Sequence, residues 1–434
     1  MMTMSKALGA AQAKAYYQSE YSNSRENYYT EGEQVVGEWS GKLAEELGLE
    51  GPVEREQFER LMDGQDPRTG EQLVKHVAAK EYVNEFGDTV KTSEHRAGWD
   101  ATFSAPKSVS IAALIGGDKR LVAAHEKSAD AALRAVETDM QARLGGNTPA
   151  ETTGKIIAAK FQHDAARPDR ETGYAAPQLH THVVIANLTR TADNQMRPVQ
   201  PKELYRSQGL GTAVYRANLA VELNHCGYDY EIDGRTGAPE IKGLSKDYLQ
   251  ANSPRSLEVQ REAAEMKARL AEQGITVKEG AGLNQAAARV DRKSKRYDRA
   301  EMQQRHAEMD ARFGHQARAV VAQALERGSI EHSREEITRR AQESVTFARD
   351  HAMEREAVAS LRKVTTDALR RNLGLTTYEA VKEELSARER RGEFVGIVRE
   401  HQPPQITTRR MLDMEHANIR RVLVDQGQGG VDHG

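Results

Sequence analysis

The sequence predicts a mixed α/β protein, with strands at its centre and a helical C-terminal region, on three observations. The run from Gln178 to Asn187 (QLHTHVVIAN) is rich in β-branched residues and reads as a strand. The run from Ile156 to His163 (IIAAKFQH) reads as a second. From about residue 245 the chain turns dense in Arg, Glu and Ala with few strand formers, which is helical composition.

The remaining elements follow in order. Residues 38–49 (EWSGKLAEELGL) read as a helix closed by Gly48. Trp99–Ser104 alternates like a strand, Pro106 interrupts it, and an apolar run resumes at Val109. Residues 118–144 carry Leu121, Val122, Ala132, Leu133, Val136 and Leu144 at helical spacing. A helix is expected over 202–225 and a hairpin with a glycine turn over 228–234. Residues 255–272 and 298–371 read as mostly helices. Thr376 and Thr377 precede another helix, and apolar segments at 394–398 and 406–412 read as the strands of a small winged-helix-like module. The glycine-rich stretch 426–434 is expected to be a flexible tail.

Composition narrows the function classes. The 434 residues suffice for two or three domains, and 29% are charged. No run of 18 apolar residues or secretory h-region occurs, so membrane insertion is not expected. A single cysteine, Cys226, forms no disulfide within the chain and fits a reducing cytoplasm. A net charge of −3 argues against broad duplex-DNA binding, although it leaves room for a local basic channel.

Side chains two apart on a strand share a face, so His180 and His182 point the same way. If the strand ending at His163 pairs with theirs, three imidazoles converge, leaving coordination positions open as a catalytic metal site does. With 14 histidines in 434 residues, chance alone supplies an H-x-H pair in about one chain in two. The third histidine and the tyrosines therefore carry the argument. Tyr16-Tyr17 and Tyr28-Tyr29, with Tyr21 between them, place five of the 14 tyrosines in the first 29 residues, among polar neighbours. A phenol beside a divalent ion that neutralises a phosphodiester can attack phosphorus and store the bond as a phosphotyrosine ester. Asp100 is the candidate carboxylate to orient a ligating histidine or to take a proton near a tyrosine. Lys107, Arg190, Arg197, Lys202 and Arg206 lie around these strands in sequence and are candidate phosphate contacts.

Taken together, Tyr16-Tyr17, Tyr28-Tyr29, Glu38-Trp39-Ser40-Gly41-Lys42, the run Gly98 to Ser110 (GWDATFSAPKSVS), His163-Asp164 and the run Pro177 to His182 (PQLHTH) resemble the relaxase domain of conjugative relaxases of the F-plasmid type, which are HUH endonucleases. The resemblance covers roughly residues 1–300. It implies a palm-like α+β fold, a central antiparallel five-stranded sheet with helices on both faces. It implies His163, His180 and His182 as ligands of a divalent cation (magnesium, manganese or a zinc-like ion), Asp100 as the histidine-orienting or proton-accepting aspartate, Tyr16 as initiating nucleophile and Tyr28 as second, with Tyr17 and Tyr29 as auxiliaries. The tyrosine pairs are spaced more widely than in the family, which leaves the choice within the second cluster open. Thr181 stands where the motif's name has a hydrophobic residue, a change that relaxases of this type tolerate.

The implied activity is nicking and religation of single-stranded DNA at a plasmid transfer origin with an adjacent hairpin. Relaxosome accessory proteins and a coupling protein are the implied partners. The implied setting is the bacterial cytoplasm, with passage alongside the DNA into a recipient cell. The expected organisation is a relaxase domain over 1–300 with helical fingers from about 245, a helical linker over 301–350, and a module over 351–425 resembling the start of the family's helicase region. No G-x-x-x-x-G-K-[ST] loop occurs, so a truncated protein with the relaxase but not the helicase motor is expected. Two other readings stay open: a three-histidine phosphoesterase using bound water, and a non-catalytic DNA-binding accessory module.

Overall fold

A computed structural model of the chain describes residues 1–17, 37–75, 81–83, 89–91, 96–169, 171–277, 283, 287, 299–397 and 404–428. Tyr21, Tyr28 and Tyr29 lie outside them. The central sheet is built from β1 (Met2–Met4), β2 (Leu8–Gly9), β3 (Glu38–Ser40), β4 (Arg96–Ser104), β5 (Ala158–Ala165) and β6 (Pro177–Ala186). Its order is β1-β4-β6-β5-β3, all antiparallel, and the two-residue β2 adds to β4. The five-stranded antiparallel sheet is thus present, with one short extra strand.

Period-2 alternation sorts β4 onto two faces. Trp99, Ala101 and Phe103 enter a large apolar layer formed with α4 (Lys107–Leu114), α5 (Lys119–Glu137) and α7 (Gln208–His225). Asp100, Thr102 and Ser104 face the other way, toward the side where α1 (Ala10–Tyr16), α2 (Lys42–Glu46) and α3 (Arg55–Met62) cover part of the sheet. Gly98 is required by close approach, since a Cβ there would lie 2.2 Å from the Ile185 carbonyl oxygen of β6.

Several boundaries differ from expectation, among them the strand expected over 406–412, which ends at Thr408 where a helix begins. Residues 38–40 are strand β3, with Trp39 opposite Ala159, and only 42–46 are helical. Between them Gly41 adopts φ +102°, where a Cβ would also strike the Ile156 carbonyl at 2.4 Å, while buried Glu137 accepts the Lys42 and Ile156 amides. Gly48, at φ +64°, does close this element. Helix α5 stops at Glu137, because Gln141–Ala142 pairs with Glu151–Thr152. The expected 202–225 helix is two, α6 (Pro201–Arg206) and α7, separated at Ser207, whose hydroxyl donates to Asp139.

After a hairpin of Tyr230–Ile232 with Pro239–Ile241, the described residues from 246 are mainly helical, as their composition requires: α8 (Lys246–Ala251), α9 (Pro254–Glu272), α10 (Arg299–Arg312), α11 (Gln316–Arg327), α12 (Arg334–Met353), α13 (Leu361–Arg371) and α14 (Tyr378–Arg390). Within the expected linker, α11 packs on α4 and α12 packs on α13 and α14. A three-stranded antiparallel sheet of β7 (Ala359–Ser360), β8 (Phe394–Ile397) and β9 (Gln405–Thr408) follows, in the order β7-β9-β8. The last helix, α15, runs from Arg409 to Gln428, so residues 426–428 are helical where a flexible tail was expected. Arg362 of α13 holds Asp139 at 2.8 Å and Glu203 at 2.7 Å, fastening this C-terminal part to the core. No described helix is long and apolar enough to cross a membrane.

Candidate active site

The site lies where β4, β5 and β6 run side by side. The register sets His180 opposite His163 and His182 opposite Thr102, so strand pairing alone brings the three imidazoles to one face. Their ring centres are 5.1 to 5.3 Å apart in all three pairs. His163 is fully buried, and the other two are partly accessible.

Hydrogen bonding fixes two of the rings. His182 Nδ1 lies 2.8 Å from Asp100 Oδ2, and His180 Nδ1 lies 2.8 Å from the Gln178 carbonyl oxygen. A carboxylate and a carbonyl can only accept, so each ring carries its proton on Nδ1 and presents Nε2 as an electron-pair donor. This is the arrangement in which an outer carboxylate orients a ligating histidine. Three imidazoles sharing one ion at about 2.1 Å per Zn–N bond place their ring centres roughly 5 Å apart. Among the described residues no trio of His, Cys, Asp or Glu forms a closed ligand set as placed. The ring spacing and the fixed Nδ1 protons, both imposed by the sheet, nonetheless fit a divalent cation held by His163, His180 and His182.

Tyr16 is the last residue of α1, which packs against β4. The next residue, Tyr17, is buried against Phe58 and Phe161, at ring-centre distances of 4.9 and 5.7 Å, and its hydroxyl donates to the Val53 carbonyl at 3.0 Å. Burial raises its phenol pKa above the usual value. In this conformation Tyr17 packs among these rings with its hydroxyl engaged by the Val53 carbonyl. Phe161 stands two residues before His163 on the same face of β5, so the end of α1 packs, through Tyr17, on the strand that carries His163.

The basic candidates divide. Half-buried Lys107 donates to the Pro177 carbonyl at 2.7 Å, and burial pushes its pKa down to about 7 against the opposing pull of Glu240. In this conformation it clamps the start of the histidine strand. Arg190 pairs with Glu46 at 3.0 Å, and Arg206 with Glu203 at 2.9 Å. Arg197 and Lys202 are exposed.

Sequence reasoning missed several groups that hold β6. Ser110 Oγ accepts the Leu179 amide, and the Gln178 amide group donates to the Ala105 carbonyl. Behind the sheet, buried His125 bonds Tyr215 and Thr181, and burial pushes its pKa down to about 3. The available signal was a histidine on the apolar stripe of α5, one turn after Leu121.

The fold and site have counterparts among solved structures. Complexes of the conjugative relaxase TrwC with oriT DNA, metal-free and metal-bound, are 29% identical to this chain, with TM-scores of 0.56 and 0.57, covering 72% of it and 99% of theirs. TrwC complexed with a 27-mer DNA comprising the recognition hairpin and the cleavage site gives a TM-score of 0.55 at 28% identity. Two relatives from Escherichia coli, one from strain K12, each a multifunctional conjugation protein TraI, are 34% and 33% identical over 280 residues. The match takes in 62% of this chain but only 14% of each relative's length. These likenesses define a conjugative relaxase domain. Residues 10–313 match the TrwC relaxase family, and the chain belongs to it.

Proposed function

We propose that the protein is a metal-dependent, site- and strand-specific transesterase that nicks single-stranded DNA at a plasmid transfer origin beside a hairpin and rejoins it. The observation that carries the reading is the histidine trio with its Asp100–His182 bond, with the tyrosine-bearing end of α1 packed on the His163 strand through Tyr17 and Phe161. His163, His180 and His182 hold the divalent cation. When bound, it supplies electrophilic stabilisation of the scissile phosphate. Asp100 and the Gln178 carbonyl retain the Nδ1 protons, so the Nε2 lone pairs stay available throughout.

Tyr16 is the initiating nucleophile: its phenolic oxygen bonds to phosphorus as its proton passes to water, the P–O3′ bond breaks, and the 3′ oxygen takes a proton from water and leaves as a hydroxyl. Attack by a 3′-hydroxyl on the phosphotyrosine reverses the step. Tyr17 is a poor alternative because its hydroxyl is already spent on Val53. Tyr28 serves the second transfer, with Tyr29 beside it. Arg197 and Lys202 face phosphates. Relaxosome accessory proteins and a coupling protein are its partners, and its place of action is the cytoplasm.

Incubation with a labelled single-stranded origin oligonucleotide and Mn²⁺ is expected to give a denaturant-resistant adduct that maps to Tyr16. An unchanged adduct yield in the Tyr16→Phe/Tyr28→Phe double variant overturns the assignment. Cleavage without any adduct would favour bound water as the nucleophile.

A further inference from the structure

Thr181 lies between two of the three histidines but points to the opposite face of the sheet, where it is 4% exposed. There its hydroxyl oxygen meets His125 Nε2 of α5 at 2.9 Å, and His125 Nδ1 meets the Tyr215 hydroxyl of α7 at 2.7 Å. His125 and Tyr215 are fully buried and pack edge to face with ring centres 5.6 Å apart. A neutral imidazole has one donor and one acceptor nitrogen, and hydroxyls can serve either need, so the ring is satisfied at both ends only while both hydroxyls are present. The side chains flanking Thr181 on that face, Leu179, Val183 and Phe103, are apolar, and the other polar tie to this stretch, Ser110 Oγ, reaches the Leu179 backbone amide and no side chain of the strand. Apolar contacts press on the strand without direction, whereas the His125 bond fixes the side chain between the two histidines to one atom of a packed helix.

We infer that His125 is a positioning residue for the metal site: buffered by Tyr215, it grips Thr181 from behind and so sets the height and tilt at which His180 and His182 present their rings. Threonine at the middle of the H-x-H motif is then a requirement of this chain and not a tolerated variant, because a hydrophobic residue would strand a buried ring nitrogen. The lever is short. A strand that shifts when Thr181 loses its partner carries both neighbouring imidazoles with it, while His163 on β5 stays put, and the three ligands no longer share one centre.

The inference rests on the proposed ion site, and one set of measurements separates the two. Zn²⁺ affinity is read by competition with a chromophoric chelator, and the visible spectrum of the Co²⁺ form reports ligand geometry. Thermal melting of the metal-free protein tracks simple stability. Thr181→Val and His125→Leu are each expected to weaken Zn²⁺ binding about threefold to tenfold, one step weaker than loss of a direct outer ligand. Their effects should be less than multiplicative when combined, since each removes the same bond. Thr181→Ser, which keeps the hydroxyl, should retain parental affinity and the parental Co²⁺ spectrum. Tyr215→Phe deletes only an oxygen and is the variant of choice if the others fail to fold; it should weaken binding about twofold to threefold. If the variants melt lower but bind Zn²⁺ as the parent does, with unchanged Co²⁺ spectra, the positioning role is refuted and only packing is left. If the parent itself binds no ion, the metal reading fails and this inference with it.

Discussion

Asp100→Asn perturbs the site by one atom's chemistry. The carboxylate lies 2.8 Å from His182 Nδ1, with the two side chains 14% and 18% exposed, so the bond is shielded but not dry. Asparagine keeps the size and can still accept one hydrogen bond, yet it withdraws the negative charge that makes His182 a stronger donor to an ion. It also brings an amide whose protons must avoid the ring and Thr102, which sits 3.3 Å from the same nitrogen. Loss of such an outer partner costs about 10- to 100-fold in metal affinity, or about 1.4 to 2.7 kcal/mol. The partial exposure and the retained acceptor place Asp100→Asn near the tenfold end. The assay is Zn²⁺ competition on protein stripped of metal, with the melting temperature of the stripped protein as control. Affinity within twofold of the parent, together with an unchanged rate of covalent adduct formation, would refute the orienting role of Asp100.

Other predictions concern the surroundings. Tyr17→Phe should lower stability by about 1 kcal/mol through the lost bond to Val53 while leaving the DNA adduct intact; an undiminished melting temperature with no adduct would make Tyr17 a nucleophile after all. Arg362→Met should cost about 3 kcal/mol in chemical denaturation, because it leaves Glu203, only 4% exposed, with Arg206 as its remaining ion-pair partner. A loss under about 1 kcal/mol would mean that apolar contacts hold the seam. His306 donates to the Ala175 carbonyl, and burial pushes its pKa down to about 4. Between pH 6.5 and about 4 the unfolded chain binds a proton that the native ring refuses, so stability must fall as pH falls through that window. At about 1.4 kcal/mol per pH unit the full loss is about 3 kcal/mol. His306→Gln should flatten the slope of stability against pH there, and an unaltered slope would show that His306 is protonated in the folded state.

Much of the site was legible in the sequence because the signals that define it are local and periodic. Alternation along Gln178–Asn187 puts His180 and His182 on one face whatever the rest of the chain does, and the same rule orients Trp99 inward and Asp100 toward the histidines. Helix-forming composition likewise announced the C-terminal third. The three-residue strand β3 carries too little pattern to outvote its helical neighbours, and only pairing with β5, more than a hundred residues away, makes it a strand.

The sequence by itself determined which residues share a face, and the motif order was enough to mark the relaxase resemblance. Tertiary structure alone decided which faces meet and which polar groups are consumed in meeting. It spends Lys107 on Pro177, Arg190 on Glu46 and Tyr17 on Val53, three groups whose composition suggested outward chemistry. It also brings His125 to Thr181 across 56 positions. Periodicity reports the direction of a side chain along its own element, but a hydrogen-bond partner contributed by a distant element leaves no periodic trace.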